Sequence, residues 1–248
     1  MLTERQAKLL DFIVREHVRS AEPVGSAAVV EKSGFGVSPA TIRSEMQALE
    51  NFDYVTQPHT SAGRVPTEKA YRWFVNTLLA QQDYEIANKD KKKIDEAVLT
   101  AGDDPRQINK TMAQVLSELS EHAVITNIKE AKDFYKTGLA SLMEIPEFRE
   151  FDRIFQLTSF FEDFDELFGH MEQELMSALE ENFNVFIGHE SPFRNIQGEA
   201  VIVIHYQLPH QNSGTLTLIG PTRMDYRRNI GLVTYASQLL NKIAKQYN

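Results

Sequence analysis

Cysteine is absent from the 248 residues of this sequence, which excludes disulfide bonds and metal sites built from thiolates. No apolar run approaches the roughly 20 residues that a helix needs to cross a bilayer. The first residues also lack the basic and apolar regions of a signal peptide. From these absences we expect a soluble, cytoplasmic protein with no membrane contact.

Motifs that support catalysis are missing as well. The sequence has no phosphate-binding G-x-x-x-x-G-K loop, no G-x-G-x-x-G and no G-x-S-x-G. Its seven histidines are scattered, and the pair His205 and His210 is more typical of a surface at a strand end than of metal ligands. Acidic residues cluster at 162–166, a composition that suits the start of a helix. We therefore expect no enzyme, no metal site and no cofactor.

Positive charge is scarce, since the formal net charge is −9. Residues 1–80 contain nine Lys and Arg against nine Asp and Glu, whereas the remaining chain contains 17 against 26. A broad basic field is therefore excluded. If the chain binds nucleic acid, its neutral first third must do so through a few placed cations.

Residues 36–71 have the pattern of a capped helix, a tight hairpin and a second capped helix. Ser38 is a good N-cap, and Pro39 follows at the first helical position, where its missing N–H costs nothing. Ile42, Met46 and Leu49 then recur on one face of the predicted helix. The order of elements, with the helices predicted before it, is that of a winged helix-turn-helix domain.

The polar face of this helix carries hydrogen-bonding side chains and one guanidinium, on Thr41, Arg43, Ser44 and Gln47. Such side chains can read base edges in the major groove of DNA, and Ser38 stands beside them at the cap. The alternative is that Arg43 pairs with an acid of the same head, such as Glu45 or Glu50.

The hairpin that follows is predicted to be a wing that contacts the DNA backbone or minor groove. The side chains expected to make these contacts are those of His59, Thr60, Ser61 and Arg64. Gly63 is expected to adopt a positive φ and to bring the backbone close to the duplex. The alternative is a compact turn without a binding role.

Several segments resemble the HrcA family of bacterial heat-inducible transcription repressors. The amino-terminal match consists of EPVGS at 22–26, ATIR at 40–43, EM at 45–46 and, above all, QPHTSAGRVPT at 57–67. The later match consists of YKTGL at 135–139, PEF at 146–148 and LIGPTRMDY at 218–226. Departures occur at Ser44, where the family commonly has Asn, and at Ala27, where it commonly has Arg.

The resemblance implies a sequence-specific repressor of heat-shock chaperone operons of the groE and dnaK type. Its partner would be double-stranded DNA, a CIRCE-type inverted-repeat operator bound by a homodimer, with a GroEL-type chaperonin as a further partner. Two alternatives belong to other classes: a ligand-sensing regulator whose carboxy-terminal domain binds a metabolite, and an enzyme built on that domain.

The fold class expected for the whole chain is α+β, with a winged helix-turn-helix domain at 1–80. A linker and helical segment with a remnant of a GAF-like core would follow at 81–133, and a GAF-like domain at 134–248. The resemblance also implies that this domain is reduced, because the strand ending near Ile128 runs almost directly into the matching segment at Phe134.

The later pattern predicts strands at 123–128, 185–188, 200–207 and 215–219, and helices at 138–143, 146–157 and 164–181. Thr3, Thr67, Asp104 and Thr222 are predicted N-caps. For the dimer interface, the apolar helices at 230–243 and 108–119 are the candidates, although either could instead complete the core.

Overall fold

The computed structural model describes residues 2–148, 150–178 and 183–247. The chain divides into two compact units. The first comprises Met1–Asp83 with Thr222–Asp225, and the second comprises Tyr84–Pro221 with Tyr226–Asn248. Helices and a five-stranded sheet occur in separate segments, so the predicted α+β class is confirmed.

The first unit is a helical domain with a small hairpin. Its elements are α1 (Glu4–Ser20), α2 (Ser26–Ser33), α3 (Pro39–Asn51), β1 (Val55–Thr56), β2 (Val65–Pro66) and α4 (Glu68–Gln81). The two short strands pair antiparallel, which makes the predicted wing of residues 57–64. The helices enclose a core with fully buried side chains on α1, α3 and α4, among them Leu9, Leu10, Ile13, Ile42, Leu49 and Val75.

Four of the five helix starts follow the predicted caps, whereas α9 begins at Tyr226, so the prediction of Thr222 as its N-cap is wrong. The side chains of Thr3, Ser38, Thr67 and Asp104 each accept a hydrogen bond from a backbone N–H of the first turn. At Thr3 the capping box is complete, since the Gln6 side chain accepts from the Thr3 backbone N–H at 3.0 Å. Local sequence therefore determines where these helices begin.

The second unit is built on one antiparallel sheet. Its elements are α5 (Asn88–Ala101), α6 (Pro105–Ser120), β3 (Ala123–Ile128), β4 (Asp133–Thr137), α7 (Leu139–Glu144), α8 (Phe151–Ala178), β5 (Phe183–Ile187), β6 (Glu199–Gln207), β7 (Ser213–Pro221) and α9 (Tyr226–Tyr247). The strand order is β4-β3-β7-β6-β5. Strands were predicted at all of these positions except β4, whose five residues are all half-buried and show no alternation of burial.

The inner strand β6, between β7 and β5, is covered on both faces, as its continuous apolar run predicts. Val201 and Val203 belong to a core cluster with α8, while Ala200, Ile202 and Ile204 point the other way and are also buried. The cluster is rich in buried phenylalanine, namely Phe148, Phe160, Phe161, Phe164, Phe168 and Phe193. The rings of Phe160 and Phe193 have centroids 5.2 Å apart in an edge-to-face arrangement.

The prediction of two helices at 146–157 and 164–181 is wrong. Residues Pro146–Phe148 form a 3₁₀ turn, and one long helix, α8, follows as Phe151–Ala178. No Gly or Pro interrupts residues 151–168, so the helical stripe of buried side chains continues through them. The predicted end at 179–181 lies outside the described residues.

The acidic cluster at 162–166 is consequently in the middle of a helix and not at its start. Its side chains are exposed except where Phe164 turns inward, and Asp165 pairs with Lys136 of β4 at 2.8 Å. The cluster is a solvated helix face.

The helix α9 buries most of the apolar stripe that was predicted for a dimer interface. Ile230, Leu232 and Val233 have no exposed surface, because α9 packs on β6 and against α6. Ile108 and Leu116 of α6 are likewise fully buried. Most of the apolar stripe of both helices completes the core of the second unit, although Leu239 and Ile243 of α9 are half-buried. This burial supports the alternative that the two helices complete the core, and the dimer interface on them stays a prediction.

Candidate nucleic-acid interface

The third helix of the first unit, α3, packs against the core of the unit with one face and exposes the opposite face to solvent. Ser38 Oγ accepts a hydrogen bond from the Thr41 backbone N–H at 3.2 Å and lies 3.0 Å from the Thr41 hydroxyl oxygen. Ile42, Met46 and Leu49 are buried. Because the apolar stripe is fully used, the opposite face of α3 is held in one orientation toward solvent.

That opposite face carries the predicted base-reading residues together. Arg43, Ser44 and Gln47 are exposed and Thr41 is partly exposed. Gln47 makes only a long side-chain contact of 3.4 Å, from its Nε2 to Asn51 Oδ1. We name Ser38, Thr41, Arg43, Ser44 and Gln47 the α3 face.

Arg43 does not pair with either acid that the alternative interpretation suggested. Glu45 is turned into the domain, where it accepts hydrogen bonds from Arg5 Nε at 2.7 Å and Gln6 Nε2 at 3.1 Å. Glu50 pairs with Arg64 instead. Within the described ranges no acidic side chain contacts Arg43, so its guanidinium is available to a ligand.

Other cations of the first unit are engaged with acids on their own domain. These pairs are Lys8 with Glu4, Arg15 with Asp11, and Arg19 and Lys32 with Glu16. Hydrogen bonds from Arg19 and Lys32 lower the pKa of Glu16 to about 2. The exposed guanidinium of Arg43 therefore differs from these four cations, whose charge is compensated by an acid. Lys69 has no acidic partner among the described residues either, but it donates to the carbonyl oxygen of Phe52 at 2.7 Å.

The wing tip is a compact turn held by one side chain. Gln57 Nε2 donates to the carbonyl oxygens of Thr60 at 2.9 Å and Ala62 at 3.0 Å. The Ala62 N–H donates to the carbonyl oxygen of His59 at 2.8 Å. The side chains of His59, Thr60 and Ser61 are exposed at this tip.

Gly63 does not have the positive φ that was predicted for it, and that interpretation is wrong. The need for glycine comes from packing. A Cβ at Gly63 would lie 2.4 Å from the carbonyl carbon of Val24 and 2.7 Å from the backbone nitrogen of Gly25. Gly63 therefore allows the wing to approach the backbone of the loop before α2.

Arg64 is also used differently from the expectation. Its backbone forms a two-way bridge with Val24, with both N–H to O distances at 2.9 Å. Its guanidinium pairs with Glu50 at 2.9 Å, and its side chain is only 11% exposed. Its Nε is buried without a hydrogen-bond partner among the described residues. The geometry gives Arg64 a structural contact between the wing and α3, and leaves little of it for a phosphate.

Sequence reasoning missed Val24 as part of this site. The residue stands between Pro23 and Gly25, a context that marks a turn and gives no sign of a strand-like bridge to Arg64. Among the described residues, no group of three or more His, Asp or Glu side chains could hold a metal ion. None of the described helices is both long and apolar enough to span a membrane.

Comparison with known proteins gives a family match over more than half of the chain. A family model described as HrcA protein C terminal domain matches residues 69–230. A relative from Halalkalibacterium halodurans, named heat-inducible transcription repressor HrcA, is 26% identical over 343 residues and is aligned over 98% of each chain. A relative of the same name from Carboxydothermus hydrogenoformans is 25% identical over 346 residues, with 100% of each chain aligned.

The aligned lengths exceed the 248 residues of this chain, so the relatives contain segments that have no counterpart here. A solved crystal structure described as that of a hypothetical protein covers 100% of both chains with a TM-score of 0.83 at 20% identity. At this identity the likeness shows a shared fold.

Proposed function

The chain belongs to the HrcA family, and we propose that it represses heat-shock chaperone operons of the groE and dnaK type by binding a CIRCE-type inverted-repeat operator as a homodimer. Its relatives are named heat-inducible transcription repressors, so the family is one of repressors and not of enzymes. The operator, the dimer and the target operons are the proposed part.

The observation that carries this proposal is that the side chains of the α3 face are largely exposed and available to a ligand. A helix that enters the major groove needs exposed donors and acceptors that are not already satisfied by the protein. Arg43 meets that condition, since no described acid pairs with it, and Ser44 and Gln47 are exposed beside it. In this proposal Arg43 binds a guanine edge, while Thr41, Ser44 and Gln47 contact neighbouring bases.

The wing has a second, sequence-independent role in the proposal. Its exposed His59, Thr60 and Ser61 contact the backbone or minor groove beside the α3 face. Gly63 and Arg64 keep the wing against α2 and α3, because one allows the close approach to Val24 and the other pairs with Glu50.

A homodimer follows from the symmetry of the proposed operator. An inverted repeat presents the same half-site twice, and a two-fold symmetric protein matches it with one head on each half. One α3 face and one wing bury too little surface for selective binding at cellular salt. We further propose a GroEL-type chaperonin as a protein partner and the cytoplasm as the location.

The metabolite-sensing alternative has less support. The space between α8 and the sheet is filled by packed phenylalanine rings, whose centroids lie 5.2 to 5.7 Å apart in the pairs Phe160–Phe193 and Phe164–Phe193. That interior therefore does not supply the buried pocket that a sensed metabolite requires.

Fluorescence anisotropy with labelled duplexes tests the proposal directly. The pure protein is titrated onto an inverted-repeat duplex and onto a scrambled duplex of equal composition, each at several salt concentrations. We expect the inverted repeat to bind at least about a thousandfold more tightly. Equal affinity for both duplexes would contradict sequence-specific repression, and a repeat in the presence of purified chaperonin tests that partner separately.

A further inference from the structure

The first turns of α8 carry two aromatic side chains that are exposed to solvent and are not packed into the core. Phe151 and Phe155 are one helical turn apart, and 79% and 64% of their surfaces are exposed. Asp152, Gln156 and Ser159 lie on the adjoining stripe at the same helical spacing. We name Phe151, Asp152, Phe155, Gln156 and Ser159 the α8 surface.

A cavity of about 440 Å³ adjoins the α8 surface. Phe155, Gln156 and Ser159 form one wall, and Arg153, Arg194 and Gln197 contribute polar groups. The carboxyl-bearing residue of the lining, Glu199, is only 5% exposed. Arg153 donates to the carbonyl oxygen of Glu147 at 3.2 Å, so the cavity presents the guanidinium of Arg194, the polar groups of Gln156, Ser159 and Gln197, and one aromatic ring.

The α8 surface and its cavity carry exposed groups of opposite charge, which two copies of the chain could pair. Asp152 and Arg194 are both exposed, and neither has an ion-pair partner among the described residues. One copy thus offers an exposed carboxylate beside an exposed ring, together with a cavity that is lined by the exposed guanidinium of Arg194. A two-fold interface requires both halves of each contact on one copy, and the α8 surface together with its cavity has them.

The other apolar helices of the second unit are already occupied. Most of the stripes of α6 and α9 is buried against the sheet and between the two helices, and Leu239 and Ile243 of α9 are half-buried. Leu99 of α5 is 81% exposed, but no other large exposed hydrophobic residue lies near it in sequence. Tyr247 at the end of α9 is 46% exposed, and its ring packs edge-on against His210. Within the part of the unit that the structure describes, Phe151 and Phe155 are the large exposed hydrophobic residues that lie one helical turn apart on one helix.

We propose that the α8 surface and its cavity form the two-fold interface of the homodimer. The two copies of α8 pack antiparallel with Phe155 near the axis, and Asp152 of each copy pairs with Arg194 of the other. The relatives contain segments that this chain lacks, and the proposed homodimer of this chain is formed by the fold that remains. The inference rests on the dimer proposed above and identifies its contact surface.

The first test is the oligomeric state measured by sedimentation equilibrium on the full chain, from nanomolar to micromolar concentration. Phe155→Asp should raise the dimer dissociation constant by about 30-fold or more, as loss of a central aromatic contact does. Leu99→Asp is the matched control, because it places the same charge at another exposed hydrophobic position and should leave the constant unchanged. Thermal unfolding of both variants checks that the fold is retained.

A charge exchange tests the pairing itself. Asp152→Arg and Arg194→Asp should each weaken the dimer, because each places like charges together across the axis. When the two variants are mixed, the heterodimer contains two restored pairs, so association should return to the wild-type level. Recovery on mixing can only come from a contact between copies.

The outcomes separate this inference from the proposed function. A wild-type dimer that Phe155→Asp dissociates and Leu99→Asp does not would support the interface. A dimer that is unaffected by Phe155→Asp, or that does not recover on mixing, would overturn the α8 interface and leave the dimeric repressor intact. A wild-type monomer at micromolar concentration would overturn the dimer and this interface together. If Phe155→Asp abolishes chaperonin binding without affecting the dimer, the occupant is a different protein and the inference is wrong.

Discussion

The α3 face and the wing each carry one arginine inside a segment that resembles the same family, yet the protein uses these arginines in opposite ways. Arg43 is exposed and has no acidic partner among the described residues. Arg64 is 11% exposed on its side chain and pairs with Glu50 at 2.9 Å. The comparison teaches that a conspicuous cation in a binding motif can belong to the scaffold of the motif and not to its contact surface.

The two arginines differ in the free energy that it would cost to use them for DNA binding. A partly buried ion pair that loses one partner leaves the other charge poorly solvated, so the protein retains Arg64 against Glu50. Arg43 makes no such pair, and a phosphate or base that binds it displaces only water. The cost of binding through Arg43 is mainly the ordering of its long side chain. Substitutions at the two positions should therefore affect different measurements.

The largest effect is expected from Gly63→Ala, which adds a methyl group between the wing and the loop before α2. The new carbon would lie 2.4 Å from the backbone of Val24, so the bridge between Val24 and Arg64 must open. We expect a loss of about 3 kcal/mol in the free energy of unfolding, the upper range for overpacking. Fluorescence of Trp73 in α4, the single tryptophan, reports this unfolding of the first unit.

Gly25→Ala is the matched control for Gly63→Ala. Gly25 lies in the same contact, but a Cβ there would have no heavy atom within 4 Å and its φ of −84° suits any residue. We expect a change of less than about 0.5 kcal/mol. Equal destabilisation by the two substitutions would show that close approach at Gly63 is not what holds the wing.

Arg43→Ala should have the second largest effect, on DNA binding alone. Loss of a bidentate contact to a base costs about 2 kcal/mol of binding free energy and relaxes preference at one base pair. The unfolding free energy should stay unchanged, because Arg43 makes no contact that supports the fold. Anisotropy titrations on operators with single base-pair changes measure both quantities.

Lys8→Ala, which removes one exposed cation of α1, is the control for charge alone. It should reduce affinity for all duplexes slightly and equally. If Arg43→Ala behaves in the same way on specific and scrambled DNA, Arg43 contacts phosphate and does not read a base.

The local sequence pattern was sufficient to predict those parts of the site that depend only on residues close to one another in the sequence. The Ser38 cap, the Pro39 start and the buried stripe of Ile42, Met46 and Leu49 are properties of one helix, and the structure contains each of them. The exposure of Arg43 follows from the same periodicity. For this reason the polar side of α3 could be predicted from the order of its residues alone.

The roles of Gly63 and Arg64 could not be predicted in the same way. Both depend on Val24, which is 40 residues before Arg64 in the sequence, and a pattern within the wing contains no information about that contact. A glycine in a turn also suggests a positive φ, because that is its commonest use there. The requirement for close packing only becomes visible when both backbones are placed.

A similar limit applies to the second unit. Four of the five strands of the sheet follow from apolar patterns, and β4 does not. The apolar stripe of α9 gives the same pattern whether a sheet or a second copy covers it. Val233 has no exposed surface, and its neighbours on α9 face β6. Hydrophobicity alone cannot identify the surface that buries it.

Arg64→Ala should have a smaller effect than either of the first two changes, and the effect should be on stability. Removal of the guanidinium leaves Glu50, which is 28% exposed and can partly rehydrate, so we expect a loss of about 1 kcal/mol. Affinity for all duplexes should fall modestly because the wing is less well held. The slope of log affinity against log salt should stay unchanged. A slope lower by about one would identify Arg64 as a phosphate contact after all.

Glu50→Gln tests the comparison from the opposite side and should have the smallest effect. The substitution keeps the shape of the side chain, removes its charge and leaves Arg64 without its ion pair. If the ion pair is what keeps Arg64 from DNA, the freed guanidinium should raise affinity for scrambled duplexes by roughly two- to fivefold and steepen the salt slope.

Glu31→Gln is the control for net charge. It removes one charge from α2 without releasing a cation, because Glu31 is exposed and has no ion-pair partner among the described residues. Equal gains from the two substitutions would mean that total charge matters and the pair does not. A gain in affinity confined to Glu50→Gln would mean that Glu50 on α3 keeps Arg64 of the wing from contacting DNA. Sequence selectivity would then depend on Arg43.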